Sequence, residues 1–406
     1  MFKKLSIGFL MISYLYVLTF GIFLNNFFRI PTPFIFCLPL LVLFGSFKNT
    51  AFVYKKEIVL FTVATFFAVV LVQSDFNSFL ANLIVTFFCI LYFNFFVNDR
   101  WSRYKLSVVI FYLWLAISSA IMFLNHVFPA QIDPLRVFLT GYTPAFQSPS
   151  GISQYIFTFG YQAAALTTFA FTGSIIYRKH FFIKALIFIV AFLIIYFGLQ
   201  RSVLVTFGLS SFLLILMFYR LKSVWILGLA AIVIVLVFST VAERTKGYDN
   251  IFAKNERDSE AGRSDLVLEN LKIFTDYPYG LIFHGKSWSE ATRNRAVFSS
   301  GISSHNAYLM FLTFLGPFLG IGLLFALYQK IWKLFRYAFV NIYDTRITLL
   351  ICLCFSFLSV SLNSMSHNAW LLSGNGPTIF LYFAILHYGK FFLNESFQFQ
   401  KVKVVD

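Results

Sequence analysis

The chain has 406 residues, of which 59% are hydrophobic and 12% charged, and 57 of them are phenylalanine. Ordinary globular domains carry about 25% charged residues, so this composition excludes a soluble protein. The formal net charge of +16 comes largely from short basic loops beside apolar runs. This placement favours contact with anionic lipid and argues against a nucleic-acid partner.

Apolar runs long enough to cross a bilayer, about 20 residues each, recur along the whole chain. They are continuous rather than alternating, which favours α-helices over a transmembrane β-barrel. We predict an all-α polytopic membrane protein with about twelve transmembrane helices. The predicted spans are 5–25, 32–47, 57–73, 77–96, 105–128, 156–177, 181–199, 202–219, 223–241, 307–328, 346–365 and 375–393.

Lysine and arginine are concentrated in alternate loops, and the short loops between them have almost none. Because basic loops stay in the cytoplasm, both termini are predicted to be cytoplasmic. The predicted organisation has three parts. Residues 1–241 contain helices one to nine, 242–306 form one large outer loop, and 307–406 contain helices ten to twelve and a cytoplasmic tail.

The outer loop has nine acidic and nine basic residues, a balance typical of a folded, ion-paired surface. Within it, Val267, Leu271 and Phe274 recur at helical spacing, so 264–275 is predicted to be an amphipathic helix capped by Ser264. A shorter outer segment, 129–155, is rich in Pro, Gly and Ser and is predicted to be a loop with turns.

The first candidate site is Ser304-His305-Asn306-Ala307-Tyr308-Leu309, where the outer loop ends and an apolar helix begins. Histidine titrates near physiological pH, so His305 could accept a proton from an attacking hydroxyl or donate to a phosphate. Alternatively, Ser304 or Asn306 caps the helix and His305 is only hydrated. The segment Ser366-His367-Asn368 repeats three of these residues, which chance explains.

Arginines form the second candidate site. Arg201 lies between two apolar runs on the outer side, where a lone arginine is disfavoured unless it snorkels to the interface or binds an anion. Arg263 opens the loop helix, and Arg244 follows the ninth span; either could be a surface ion-pair residue. Together the three could form a cationic pocket for a lipid-linked phosphate or diphosphate, since guanidinium groups bind phosphate oxygens bidentately.

The sequence lacks the motifs of nucleotide-binding and metal-dependent enzymes. The chain has no glycine-rich phosphate loop, no nucleotide fingerprint and no histidine-rich metal spacing. The four cysteines lie within apolar runs, where they are small packing residues. The sequence therefore predicts no cofactor and no metal.

These residues resemble the O-antigen ligase and O-antigen polymerase superfamily. That family has about twelve spans, a large periplasmic loop late in the chain and a His-Asn motif opening the next helix, matched here by His305-Asn306. Its Arg-Ser pair is matched by Arg201-Ser202. Its loop helix, which begins with an arginine, is matched by the segment from Arg263 to Gly280. The resemblance covers roughly 195–325. Gly316 and Gly320 depart from it, because the family's glycines usually lie three apart.

The resemblance implies a GT-C-like glycosyltransferase of the bacterial inner membrane, with its active site facing the periplasm. The donor would be a glycan on undecaprenyl diphosphate, displaced with inversion and without a metal. Arg201 and Arg263 would stabilise the departing diphosphate, and His305 would orient or deprotonate the acceptor hydroxyl. Arg244, Asn306 and Tyr308 are the predicted substrate-binding residues.

Three functions are weighed, two that the resemblance implies and one of another class. The preferred one is a polymerase that adds the glycan to a lipid-linked repeat unit, with the bilayer and a chain-length regulator protein as further partners. The second is a ligase that transfers the glycan to lipid A-core. The third is a transporter of lipid-linked oligosaccharides, which predicts charged residues deep in several spans, where few occur.

Overall fold

The computed structural model describes residues 2–48, 50–71, 75–142, 150–153, 156–225, 261–293, 295–298 and 304–402, with a few isolated residues between 228 and 240. Within these ranges every regular element is a helix, as the sequence predicts. Long apolar runs form helices because a helix satisfies its own backbone hydrogen bonds.

The first eight helices occupy the N-terminal half of the chain. They are α1 (Phe2–Phe20), α2 (Pro33–Phe44), α3 (Lys55–Thr65, continued by a wider turn over Phe66–Leu71), α4 (Phe76–Val97), α5 (Trp101–Val127), α6 (Pro129–Thr140), α7 (Ile156–Ile176) and α8 (Phe181–Phe197).

Six further helices are described in full after α8. They are α9 (Arg201–Tyr219), α10 (Ala261–Asp276), α11 (Trp288–Thr292), α12 (Ala307–Val340), α13 (Thr348–Asn363) and α14 (Gly376–Val402).

Helices lie at eleven of the twelve predicted spans, and the remaining one, 223–241, falls largely outside the described residues. Six of the described helices are long and apolar enough to cross a membrane, and two shorter ones, Pro33–Phe44 and Phe181–Phe197, are also apolar. The number of crossings, twelve, stays a prediction.

Helix α13 lies in the centre of the bundle, between α7, α9 and α14. It is apolar on all sides, as expected of a helix surrounded by other helices. Two of its polar side chains bond to neighbouring helices. Ser356 accepts a hydrogen bond from Tyr112 and donates one to the Ala165 carbonyl at 2.9 Å, and Ser359 donates to the Thr206 hydroxyl at 3.3 Å. Such interhelical bonds satisfy hydroxyl groups that lipid or a hydrocarbon core would leave unpaired.

Helix α12 is not one straight helix, although the sequence predicts a single span there. Gly316 has φ 71° and ψ 174°, which separates residues 307–315 (α12a) from 317–340 (α12b). The hydroxyls of Tyr308 and Tyr328 lie 3.2 Å apart, whereas 20 residues of straight helix would span about 30 Å. The two legs therefore fold back on each other as a hairpin.

Only the second leg of this hairpin is long enough to cross a bilayer. The nine residues of α12a extend about 14 Å, and α12b extends about 36 Å. Gly320 packs against the first leg, because a Cβ there would lie 3.0 Å from Leu312 Cδ2. Gly316 thus permits the turn, and Gly320 permits the close approach of the two legs.

The outer segment at 129–155 also differs from its prediction as a loop. Pro129 occupies the first turn of α6, where its missing N–H costs nothing, and Gly141 ends the helix in the left-handed conformation. Arg136 of α6 is buried and bonds to Asn125, Asp133 and Ser150, so this helix is fastened to the end of α5.

Replacing the glycine of the turn tests the hairpin. Gly316→Ala should lower the thermal unfolding midpoint, because its backbone conformation is essentially restricted to glycine and a Cβ would overlap the Tyr279 carbonyl oxygen. Thermal unfolding in lipid nanodiscs measures this.

The matched control is Gly322→Ala, a helical position with open space around it, which should leave the midpoint unchanged or raise it. Equal midpoints for the two variants would contradict the reversal at Gly316.

Candidate functional site

The His-Asn motif forms the entry to α12a. Asn306 is the N-cap and accepts a hydrogen bond from the Leu309 N–H at 3.0 Å, so the capping alternative holds for Asn306. His305, half-buried, has φ 50°, a left-handed conformation that costs a non-glycine residue about 1–2 kcal/mol. Strained backbone of this kind occurs often at functional sites.

The Arg-Ser pair forms the entry to α9. Arg201 is the first residue of the helix and is half-buried. The chain turns into the helix through Leu199, which also has a positive φ of 56°, and through Gln200, whose amide donates to the Gly198 carbonyl at 2.7 Å. Arg201 and His305 therefore both lie at the N-terminal end of a helix whose entry contains a left-handed residue, Leu199 in one case and His305 itself in the other.

His367 joins these two helix entries. Its Nε2 lies 3.1 Å from the Ser202 hydroxyl, and its backbone carbonyl accepts a hydrogen bond from the Ala307 N–H at 3.0 Å. The side chain is 9% exposed. Because Ser202 follows Arg201 and Ala307 follows Asn306, one residue holds the arginine and histidine segments together.

His367 belongs to the repeated Ser-His-Asn segment that the sequence attributes to chance. In the structure His367 of the second copy accepts a hydrogen bond from Ala307, the residue that directly follows the first copy. The repeat was the available signal for His367, but a single sequence does not show which repeats meet in space.

Helix α10 brings the backbone of Arg263 toward the same place. Asn270 accepts a hydrogen bond from the Thr313 hydroxyl at 2.5 Å and contacts Met310 Sδ at 3.4 Å, and Gly280 packs on Gly316. From Asn270 to Gly280 the contacted residues change from Met310 and Thr313 to Gly316, so this segment and α12a run in the same direction. The backbone of Arg263, seven residues or about 10 Å before Asn270 along the helix, therefore lies toward the start of α12a.

Two predicted substrate-binding residues are Arg244 and Tyr308. Arg244 lies outside the described residues. The Tyr308 hydroxyl lies 3.2 Å from that of Tyr328, and its ring packs edge-on against Trp370 at 5.2 Å. These contacts give Tyr308 a role inside the α12 hairpin.

A third loop arginine, Arg295, forms ion pairs instead. It bonds to Glu269 at 2.9 Å and to Asp276, and Lys272 also bonds to Glu269. Lys272 and then Arg295 hold the pKa of the Glu269 carboxyl below its usual value. This cluster fastens the segment after α11 to α10, as expected of a surface ion-pair network.

Buried polar atoms without a partner occur near these elements. Among the described residues, no hydrogen-bond partner is present for Ser304 Oγ, for the side-chain amide of Asn363 or for Trp288 Nε1. Unpaired buried polar groups are costly unless a ligand or water satisfies them. No cluster of three His, Cys, Asp or Glu side chains suited to a metal ion occurs in the described part of the chain.

The fold defines a multi-pass helical membrane protein, in which the segments that contain Arg201 and His305 both contact His367. Residues 186–325 match the family model described as O-antigen ligase, which confirms the resemblance to the O-antigen ligase and polymerase superfamily. The match includes Arg201, Arg263 and His305 but not His367. No curated protein matches the chain.

Removing the buried amide of α10 tests how this helix is held. Asn270→Ala leaves the Thr313 hydroxyl without its acceptor, which should cost about 1–3 kcal/mol of local stability. Amide hydrogen exchange over 264–276 should become faster by the corresponding factor.

Thr275→Ala is the control, because this exposed hydroxyl bonds only to the Lys272 carbonyl of its own helix. Unchanged exchange in the Asn270 variant would show that α10 does not depend on its contact with α12a.

Proposed function

We propose that the protein is a polymerase of O-antigen or a similar surface polysaccharide. It would transfer a glycan from undecaprenyl diphosphate to a hydroxyl of a lipid-linked repeat unit. The family match supports this type of function and a glycosyltransferase-like activity. The observation that carries the proposal is the contact of His367 with both the Arg201-Ser202 and the His305-Asn306 segments.

The arginine side of the site would act on the diphosphate. The bond from the anomeric carbon to the phosphate oxygen breaks, and the negative charge that develops on that oxygen must be stabilised. Arg201 and Arg263 would supply bidentate cationic contacts. The first turns of α9 and α12a, joined through His367, add the partial positive charge of two helix N-termini.

His305 would act on the acceptor. In an inverting displacement the acceptor oxygen attacks the anomeric carbon from the face opposite the diphosphate, and its proton must be removed. His305 would accept that proton, because an imidazole is a base near neutral pH. Its left-handed backbone and the Ala307–His367 hydrogen bond fix the direction in which the chain enters α12a.

The proposal also covers the surroundings of the site. The enzyme would lie in the bacterial inner membrane with both termini in the cytoplasm, as the distribution of basic loops predicts. The donor would reach the site from the periplasmic leaflet, and a chain-length regulator would be a protein partner. Arg244, Asn306 and Tyr308 remain proposed substrate-binding residues.

A ligase is the second candidate, because the matching family model carries that description. It would use the same donor, arginines and histidine, and it would differ in its acceptor, lipid A-core. The two functions therefore share the proposed chemistry and are separated by the acceptor that is supplied.

Substitution of the proposed catalytic residues should abolish transfer while the protein stays folded. His305→Ala should lower the rate by about 10²–10⁴-fold, the usual contribution of a general base. Arg201→Ala should lower it by about 10²–10³-fold, and Arg201→Lys should restore little, because an ammonium group does not bind phosphate bidentately. Single-turnover transfer in nanodiscs measures these rates.

The controls are His284→Ala, an exposed histidine of the same loop, and Lys222→Ala, an exposed cation just beyond the opposite end of α9. Both should keep the full rate. Control variants as impaired as the site variants would remove the support for this site.

A defined reaction distinguishes polymerase, ligase and transporter. The purified protein is given a synthetic lipid-linked repeat, first alone and then with lipid A-core, and the products are separated by size. A polymerase forms a ladder from the repeat alone, because donor and acceptor are then both present.

Product that forms only after lipid A-core is added would indicate the ligase. Movement of the repeat across the bilayer without any new glycosidic bond would overturn the transferase proposal.

A further inference from the structure

Beside the His-Asn motif the structure contains a cavity of about 590 Å³, which no step of the proposed chemistry uses. It lies between the facing ends of α3 and α4, the short helix α11, the first leg of α12 and the segment after His367. Its volume is within the range of sites that bind small molecules, roughly 300–1,000 Å³. Ala307, which bonds to His367, and Asn368, which follows His367, both line its wall.

The chemistry of the lining is aromatic and polar without charge. Trp288, Trp370 and Phe311 supply flat apolar faces, and Asn82, Ser289 and Asn368 supply neutral hydrogen-bonding groups. No Lys, Arg, Asp or Glu is among the described residues that form this lining. A diphosphate is therefore a poor occupant, because nothing in the wall neutralises its charge.

The geometry points to uncharged sugar rings as the occupant. A pyranose has a C–H face that packs on an aromatic ring and a rim of hydroxyls that bond to amides and hydroxyls. This combination of rigid aromatic surface with a few polar groups is what the cavity offers.

The indole of Trp288 provides a second, independent observation. Its Nε1–H is buried, and no acceptor for it is present among the described residues. The ring itself is fixed by edge-on contacts with Phe298 at 5.2 Å and Phe314 at 5.8 Å. Because Trp288 lines the cavity, a small shift of its ring on binding would let a sugar hydroxyl supply the missing acceptor and remove the cost of an unpaired donor.

We propose that this cavity holds the sugars nearest the reacting bond, an inference that rests on the proposed glycan transfer. The sugars come either from the donor, beyond its anomeric carbon, or from the acceptor, next to its attacking hydroxyl. Both sources present the same neutral rings. The cationic residues would then bind the diphosphate, and the cavity would select the glycan.

The test uses the repeat-unit oligosaccharide released from its lipid diphosphate by mild acid, with binding detected by saturation-transfer NMR on the full-length protein in nanodiscs. Saturation should reach the protons of uncharged rings. Ser289→Trp fills the cavity and should abolish the signal. Trp288→Phe keeps an aromatic face but removes the N–H and part of the ring, and it should weaken binding about five- to tenfold.

The control is Lys286→Trp, an exposed position of the same segment that does not line the cavity, which should bind normally. Undecaprenyl diphosphate without glycan should bind Ser289→Trp as it binds the parent protein. Oligosaccharide binding that survives in Ser289→Trp overturns the proposal, even if that variant still catalyses transfer.

The two sources of sugar are separated kinetically. If the cavity is a donor subsite, Ser289→Trp should raise the KM for the lipid-linked donor at saturating acceptor. If it is an acceptor subsite, the same variant should raise the KM for the acceptor at saturating donor. If the oligosaccharide binds in the cavity and no transfer occurs with any acceptor, the proposed function fails and the sugar site stands.

Discussion

The backbone reversal at Gly316 determines where the His-Asn motif lies. A continuous helix over 307–340 would carry His305 about 50 Å from Val340, away from the rest of the bundle. With the reversal, α12a runs back along α12b, and its first residue meets His367. Tyr279 and Gly280 close the turn from outside, since neither Gly280 nor Gly316 has room for a Cβ beside the other.

The reversal also explains how a polar loop can be held beside a membrane-embedded bundle. Helix α10 has polar residues on its outer side and buries Leu266 and Ile273 on its inner side, together with Asn270, which is fully buried against Thr313 and Met310. Such a contact requires a short leg that the loop can pack on, and α12a is that leg. The ion pairs of Arg295 then fasten the outer side of α10. Because water screens these partly exposed pairs, they contribute more to the position of the segment than to its stability.

Much of the fold is predictable because it depends on local patterns. Apolar runs locate the helices, and the spacing of Val267, Leu271 and Phe274 predicts the loop helix, although it begins at Ala261 rather than at Ser264. The turn at Gly316 is harder to predict, because apolar residues continue through it and periodicity does not record a change of direction. Only the pair Gly316-Pro317 marks it: glycine permits the positive φ, and proline suits the first turn of the next leg.

In the candidate site too, residues marked by a local pattern can be predicted, and residues that depend on distant contacts cannot. Arg201 and His305 are recognisable from their position at the ends of apolar runs, where charged or titratable side chains are uncommon. His367 is not, because its importance depends on contacts with residues 60 and 165 positions away in the chain. Likewise, no local pattern indicates that Asn82 and Trp370 share a cavity wall with Trp288.

The division between cationic site and neutral cavity has a consequence for specificity. On the proposed assignment, the arginines and His305 act on groups that every donor and acceptor of this type has, a diphosphate and a hydroxyl. All three residues lie within the family-matched segment 186–325. The cavity is built partly from that segment and partly from α4 and the segment after His367, both outside it. The glycan would therefore be selected by residues that can differ between members while the reacting groups stay the same. A polymerase and a ligase could then share one catalytic centre, because the uncharged lining of the cavity, and not the arginines and His305, would distinguish one acceptor from another.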